Sequence, residues 1–273
     1  MNAPTTNANP KAILITGATG GIGGALAIAY AANGITLYLQ GRDQAKLASL
    51  QARCEALGAR VEVAALDVTN RVALDEWLGK LCQTTPPDLV IPAAGINISA
   101  MGNAVSDDAA QGGSHFVGEK WAEVDALIEI NIRAVMATVD HVLPIMRARG
   151  HGQIALFSSL AAYYGLPVTP SYCASKAAIK AYGEALRGGL AGQGIWVNVI
   201  MPGFVESYMC NEMAGPKPFM WSPEKAAIAI KAGLKNNHAR ISFPFPLNLG
   251  CWFLAVLPAA VSARLVKWFD YSA

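Results

Sequence analysis

A single doubly wound α/β domain is the fold this sequence predicts, on three observations. Short apolar runs alternate with helix-length stretches of ten or more residues. A glycine-rich turn joins the first run to the first stretch. The chain, at 273 residues, lies at the upper end of what one hydrophobic core holds. Short buried strands alternating with helices make a parallel sheet covered on both faces. Such sheets take ligands beyond the carboxyl ends of their strands.

Lys11–Thr16 is the first apolar run, followed by glycines and by the Ala-rich stretch Ala25–Asn33 that Gly34 closes. Ile35–Leu39 reads as a strand, Asp43–Leu57 as a helix ended at Gly58, Val61–Leu66 as a strand and Arg71–Cys82 as a helix. Asp88–Ala93 is a further buried strand. The rhythm resumes with a long helix over Trp121–Arg149, a strand at Gln153–Ser158, a helix from about Ser171 to Ala191 and a strand at Ile195–Met201. Met1–Pro10 reads as a frayed polar tail, without the charged-then-apolar order of a secretory signal. Residues 11–240 are therefore expected to form one domain, and 241–273 an apolar extension packed on it. Two segments break the pattern. Met101–Lys120 is rich in Gly, Ser, Asp and Asn and longer than most connections, and 241–263 contains no Asp, Glu, Lys or Arg.

Composition excludes several classes. Hydrophobic residues make up 53% and charged residues 15% of the chain, with a mean hydropathy of +0.32. Soluble chains average about 25% charge, so much of this surface is expected to be buried or self-associating, and disorder is excluded. Lys+Arg number 21 against 19 Asp+Glu, a net charge of +2, with no basic cluster of the kind nucleic acid requires. Cys54, Cys82, Cys173, Cys210 and Cys251 are scattered and odd in number, which points to free thiols in a reducing compartment and a cytoplasmic location. His115, His141, His151 and His238 show no ligand spacing, so no metal site is expected.

Thr16-Gly-Ala-Thr-Gly-Gly-Ile-Gly23 follows the first strand and opens the first helix. Glycines let the main chain turn tightly and approach a pyrophosphate, and the helix N-terminus offers free N–H groups and partial positive charge. Gly17 would make the turn, Gly21 the close approach and Gly23 the close helix–strand contact. Glycines alone fit a plain turn as well; the strand–turn–helix context favours a dinucleotide. The second strand, Leu37-Tyr-Leu-Gln-Gly-Arg42, has no acid before Arg42. An acid there would hold a ribose 2′-hydroxyl, whereas an arginine meets a 2′-phosphate, so NADP is favoured. Asp43 keeps NAD open, as does a merely solvated Arg42. Asp67 could accept from the adenine amino group or equally cap the helix before Arg71.

Pro170-Ser-Tyr-Cys-Ala-Ser-Lys176 places Tyr172 and Lys176 four apart at a helix start, on one face. A tyrosine titrates near pH ~10. A neighbouring ammonium and a positive nicotinamide would favour its ionised form and bring it toward working pH. The pair alone carries little. Ser158 and Ser159, which end the upstream strand, and Asn131, on the preceding long helix, give it weight. Only one of two successive serines on a strand can face a cofactor.

With these residues together, the chain resembles the short-chain dehydrogenase/reductase family over about residues 11–225. The matching residues are Thr16-Gly-x-x-x-Gly-x-Gly23, Asp67, Ala93-Ala-Gly95, Asn131, Ser159, Tyr172-x-x-x-Lys176 and Pro202-Gly203. The resemblance implies a Rossmann-type domain, a cofactor site that also takes in Thr19, Gly20, Ile22, Val68, Ala94 and Gly95, and a backbone contact from Val205 to the carboxamide. It implies that Tyr172 is the general acid, that Lys176 lowers the tyrosine's pKa and holds the nicotinamide ribose, that Ser159 donates to the substrate oxygen, and that Asn131 holds a water in a proton relay. The family spacing to the tyrosine selects Ser159 over Ser158. One departure is Pro92, where the family usually has an asparagine that ties neighbouring strands, which puts local sheet stability in doubt.

The expected function is an NADP(H)-dependent carbonyl reductase or alcohol dehydrogenase. Phe204, Met209, Met213, Phe219, Met220 and Trp221 fall at a lid, about residues 204–222, that the resemblance places over the substrate. With Tyr163, Tyr164 and Leu166 they suggest a bulky apolar carbonyl compound or alcohol. The rivals are an NAD-dependent dehydrogenase, a non-catalytic nucleotide sensor and a membrane-surface scaffold. In 241–263 the longest proline-free run is Leu247–Leu257, too short to span a bilayer. Phe243, Phe245, Trp252, Phe253 and Leu254 are nonetheless too apolar to leave in water as one patch. Packing against the lid or a second subunit of a homo-oligomer is expected ahead of peripheral membrane contact, for which Arg264, Lys267, Trp268 and Tyr271 are suited.

Overall fold

A computed structural model of the chain describes residues 7–99, 101–102, 115–116, 118–211, 213 and 216–268. The N-terminal half runs β1 (Ala12–Thr16), α1 (Gly21–Tyr30), β2 (Thr36–Gly41), α2 (Gln44–Ala56), β3 (Arg60–Ala65), α3 (Arg71–Thr84) and β4 (Leu89–Pro92). A two-residue antiparallel pair, β5 (Met101–Gly102) with β6 (His115–Phe116), follows. Then come α4 (Trp121–Ile128), a π-helical turn (Glu129–Ala134), α5 (Val135–Arg149), β7 (Gly152–Phe157), a 3₁₀ turn (Leu160–Ala162), α6 (Pro170–Leu190) and β8 (Ile195–Pro202). The C-terminal part holds α7 (Tyr208–Asn211), α8 (Pro223–Lys235), β9 (Arg240–Phe243), α9 (Leu247–Val256) and α10 (Ala259–Trp268).

The seven long strands form one parallel sheet in the order β3-β2-β1-β4-β7-β8-β9. Strand alternation divides the core in two. Ile13 and Ile15 of β1 pack with α1, α2 and α8, while Leu14 packs with α3, α5 and α6 on the other face. The doubly wound prediction holds. The chain reverses between β1 and β4, so the crevice beyond Thr16 and Pro92 is where a ligand enters.

Four details differ from the sequence reading. The tail does not fray through Pro10: Asn7 is buried, donates to the Gly194 carbonyl at 2.9 Å and accepts from Gly152 N at 3.0 Å. Residues 1–6 lie outside the described residues, as do 103–114 of the expected insertion. The sheet runs past residue 240, because β9 pairs with β8 from Val199↔Arg240 to Pro202↔Phe243. The long helix over Trp121–Arg149 is interrupted by the π-helical turn that carries Asn131. Asp67 does not cap α3; Asn70 does, accepting from Ala73 N at 3.1 Å, while Asp67 closes its own turn onto Thr69.

Pro92 is accommodated where a missing N–H costs least. It ends β4, opposite Thr16, and β4 pairs with β7 only at Leu89↔Gln153 and Val90↔Ile154. Asn131 takes up the connection beyond it, accepting from Ile96 N and donating to Ile96 O, each at 2.9 Å.

α6 lies close on β7 and β8 because Gly183 has no side chain. A Cβ there would stand 2.7 Å from Val199 Cγ2 and 3.0 Å from Leu156 Cδ1. Gly183→Leu should lift the helix from the sheet and destabilise the fold by about 1–3 kcal/mol, the usual cost of overpacking. Urea unfolding measures it; a midpoint equal to wild type would show that this contact has slack.

Candidate active site

The glycine turn is shaped by contacts that tolerate no Cβ. Gly17 has φ +66, and a Cβ would come within 2.6 Å of Ala94 N. At Gly23 a Cβ would strike Gly17 O, so the helix start is folded tightly on its own turn. At Gly21 the missing Cβ leaves room for Glu206 O, 3.0 Å from where the Cβ would be. Gly20 is the N-cap of α1 and makes no side-chain cap, so no side chain of its own covers the first N–H groups. Ile22 packs on the core, Thr19 lies against Gly41, and Val68 is buried. Ala94 N donates to Thr16 Oγ1 at 3.3 Å, and Gly95 sits beside Asn131 and Lys176.

Gln40, missed in the sequence reading, holds this turn. Its Oε1 accepts from Gly17 N at 3.1 Å and its Nε2 donates to Leu66 O at 2.6 Å, with the side chain buried. A polar residue in the otherwise apolar run Leu37-Tyr-Leu-Gln was the available signal. Arg42 follows β2, is exposed, and stands 4.0 Å from Asp67 Oδ2. Hydrogen bonds from the Thr69 backbone N–H hold the Asp67 carboxyl below its ordinary pKa. Asp43, the acid that kept NAD open, is occupied: it caps α2 by accepting from Lys46 N at 3.0 Å and pairs with Lys46 Nζ at 3.5 Å.

At the other end, the structure brings Ser159, Tyr172 and Lys176 together. Tyr172 shares a hydrogen bond with Ser159. Lys176 is buried, its Nζ donates to Phe157 O at 3.2 Å and lies 5.4 Å from the Tyr172 ring centroid. Ser158 points away from this group and donates to the Lys176 carbonyl at 2.7 Å. Asn131 is fully buried; besides Ile96, it donates to Ser175 Oγ at 3.2 Å. Glu119, also unforeseen, caps α6 by accepting from Ser171 N, at 3.1 Å to Oε2, and from the Ser171 hydroxyl.

Burial acts on both titratable groups of this site. Burial pushes the Tyr172 phenol up to about 12, and the Ser159 hydrogen bond offsets only part of this. The same burial pulls the Lys176 ammonium down to about 8.

Val205 bridges to Trp221, with Trp221 N donating to Phe204 O and Glu206 N to Trp221 O, each at 3.0 Å. Trp221 is not a free lid residue: it stacks on Phe243 at 4.8 Å and lies under Lys225. Phe219 and Met220 are exposed; residues 212, 214 and 215 of the lid lie outside the described residues. A hollow of about 460 Å³ bordered by Tyr163, Tyr164, Leu166 and Cys173 flanks the start of α6. A larger one, of about 560 Å³, runs from Thr19 and Gly20 between α1, α2 and α8; neither is lined by Ser159, Tyr172 or Lys176. The inner face of α9 packs on the body of the domain, outside the 204–222 lid. Leu247 and Cys251 pack on Leu160, Val199 and Met201.

The family model for short chain dehydrogenase matches residues 11–216. An uncharacterized oxidoreductase of Myxococcus xanthus is 32% identical over 249 residues, 91% of this chain and 93% of the relative. A 3-oxoacyl-[acyl-carrier-protein] reductase of Thermotoga maritima is 31% identical over 217 residues, 79% of each chain. Among solved structures, a short-chain dehydrogenase from Sphingobium yanoikuyae in complex with NADPH superposes with a TM-score of 0.74 at 24% identity, covering 95% of each chain.

Lys176 sets a pH test. Its pKa falls from 10.5 to about 8 in the native state, so between those values the unfolded chain holds more protons than the folded one. The cost of burying the charge is full below about pH 8, and stability rises with pH through that window. Lys176→Met removes the titration. The unfolding free energy of wild type minus variant should therefore increase from about pH 7 to about pH 10. A difference that does not change with pH would refute a buried charged amine.

Proposed function

Because this chain belongs to the short-chain dehydrogenase/reductase family, we propose that it reduces the carbonyl of a bulky apolar compound with NADPH, or oxidises the matching secondary alcohol. The observation that carries the reading is the Ser159–Tyr172–Lys176 group at the carboxyl end of the sheet, across from the Gly17 turn. The turn suits a dinucleotide, since its Cβ-free positions and uncapped helix start leave backbone N–H groups for a pyrophosphate. In this reading Thr19, Gly20, Gly21 and Ile22 border the pyrophosphate, Arg42 takes the 2′-phosphate, and Asp67 and Val68 meet the adenine. Ala94, Gly95, Lys176 and Val205 line the nicotinamide half. A bound nicotinamide supplies the hydride.

The protein supplies the proton. With its pKa near 12, Tyr172 is protonated at neutral pH and donates to the carbonyl oxygen as negative charge develops there. Ser159 hydrogen-bonds the same oxygen. Lys176 places its amine beside the phenol, and Asn131, with its amide engaged by Ile96 and Ser175, positions the loop after β4. NADPH is supported over NADH by the double engagement of Asp43 and the exposed position of the Arg42 side chain at the end of β2, and the Sphingobium neighbour binds NADPH. The reductive direction is supported by the Thermotoga relative, a reductase by name. Apolar substrate preference rests on Tyr163, Tyr164, Leu166, Phe219 and Met220. Homo-oligomerisation belongs to the same reading, supported by exposed Trp121 and Val72.

A panel of ketones and aldehydes with NADPH, read by absorbance, tests the activity; consumption with none of them would count against the reading. On any substrate found, Tyr172→Phe should lower kcat by about 10²–10⁴-fold while NADPH binding stays nearly unchanged, because only the donated proton is lost. Ser159→Ala should slow turnover in the same way, whereas Ser158→Ala should chiefly lower Tm. A Tyr172→Phe enzyme keeping more than half of wild-type kcat sinks the assignment.

Arg42→Asp should reverse cofactor preference. It puts a like charge beside a 2′-phosphate and an acceptor beside a 2′-hydroxyl. KM values for NADPH and NADH should move in opposite directions, and an unchanged ratio would remove Arg42 from the cofactor site.

A further inference from the structure

We infer that the outer face of the C-terminal hairpin, α9 with α10, docks on an anionic phospholipid surface. Of the two faces of α9, the inner one is accounted for, with Leu247 and Cys251 packed on the body of the domain. The outer face carries Leu249, Trp252, Phe253 and Val256, each between 41% and 56% exposed. Their spacing, i, i+3, i+4 and i+7, is one continuous helical stripe. Phe245, 76% exposed, extends it at the N-terminal end. A stripe this apolar and this large needs a nonpolar cover.

Charge selects the cover. On α9 and α10 the only charged residues are Arg264 and Lys267, both cationic; Asp270 follows them in the sequence. Both are exposed on α10, which is tied to α9 by the Ser262 hydroxyl donating to Leu254 O at 2.8 Å. Two-fold pairing of the stripe with a second copy would bring the cations of both copies to one interface, with no acid on α9 or α10 to answer them. A phospholipid surface answers both features, taking the aromatic and aliphatic stripe at the acyl boundary and the cations at the phosphates. The mode is interfacial, since no helix among the described residues is long and apolar enough to cross a membrane. The docking stands on the hairpin alone and does not depend on the proposed reaction.

Flotation of the full-length chain with vesicles tests it, using phosphatidylcholine alone and phosphatidylcholine mixed with phosphatidylglycerol. The chain should float with the mixed vesicles at low salt and be largely released at high salt. W252S/F253S and R264E/K267E should each reduce the bound fraction by roughly tenfold or more, with wild-type circular dichroism and Tm showing that the domain is intact. Four results overturn the proposal: no flotation with either vesicle; equal flotation with the neutral vesicle; flotation that neither pair of substitutions weakens; or a wild-type oligomer that W252S/F253S converts to a smaller species, which would make a second copy the occupant.

Discussion

The site depends on a reciprocal clamp between the end of β7 and the first turns of α6. Lys176 Nζ donates to Phe157 O at 3.2 Å, and the Ser158 hydroxyl donates back to Lys176 O at 2.7 Å. Two bonds in opposite senses fix both the height and the rotation of the helix against the strand. Once Ser158 faces the helix backbone, strand alternation turns Ser159 toward Tyr172. Gly183, further along the helix, sets the approach distance by its lack of a side chain. The pairing of Ser159 with Tyr172 is thus a consequence of helix-on-sheet packing, and no loop has to hold it.

The clamp has an electrostatic consequence. It places the Lys176 amine in a buried position, where burial disfavours the ammonium, and the same surroundings disfavour the Tyr172 phenolate. With its pKa raised to about 12 by burial, the phenol is protonated at neutral pH. That is the state required to give a proton to a carbonyl.

The fold was legible because its determinants are local and periodic. Apolar strands of four to eight residues and glycines at the first turn declare themselves in the sequence. The Tyr172-x-x-x-Lys176 spacing and Ser159 were legible too, since a helix face and a strand end fix their relation. What escaped was tertiary. Nothing near Asn7 says that it will bridge Gly194 and Gly152, and nothing near Asn131 announces a π-helical turn. Asp67 and Asn70 are both acceptable caps by residue type, and only the backbone path decides for Asn70. Gln40 was visible as a misplaced polar residue, but its partners lie 23 and 26 positions away. The protonation of Tyr172 depends on burial from all sides, which no spacing reveals.

The C-terminal extension joins the site through Gly203. A Cβ at that position would stand 3.0 Å from Pro244 Cδ, 3.1 Å from Leu247 Cδ2 and 3.2 Å from Leu160 Cδ1. Three segments therefore converge on one missing side chain: the end of β8, the extension and the 3₁₀ turn that begins after Ser159. Gly203 N also donates to Phe243 O at 2.7 Å, and Phe243 stacks on Trp221, whose backbone holds Val205. This chain of contacts makes the extension part of the wall behind the candidate site. An apolar α9 is then required on its inner face by packing against Leu160 and Met201, independently of what its outer face meets.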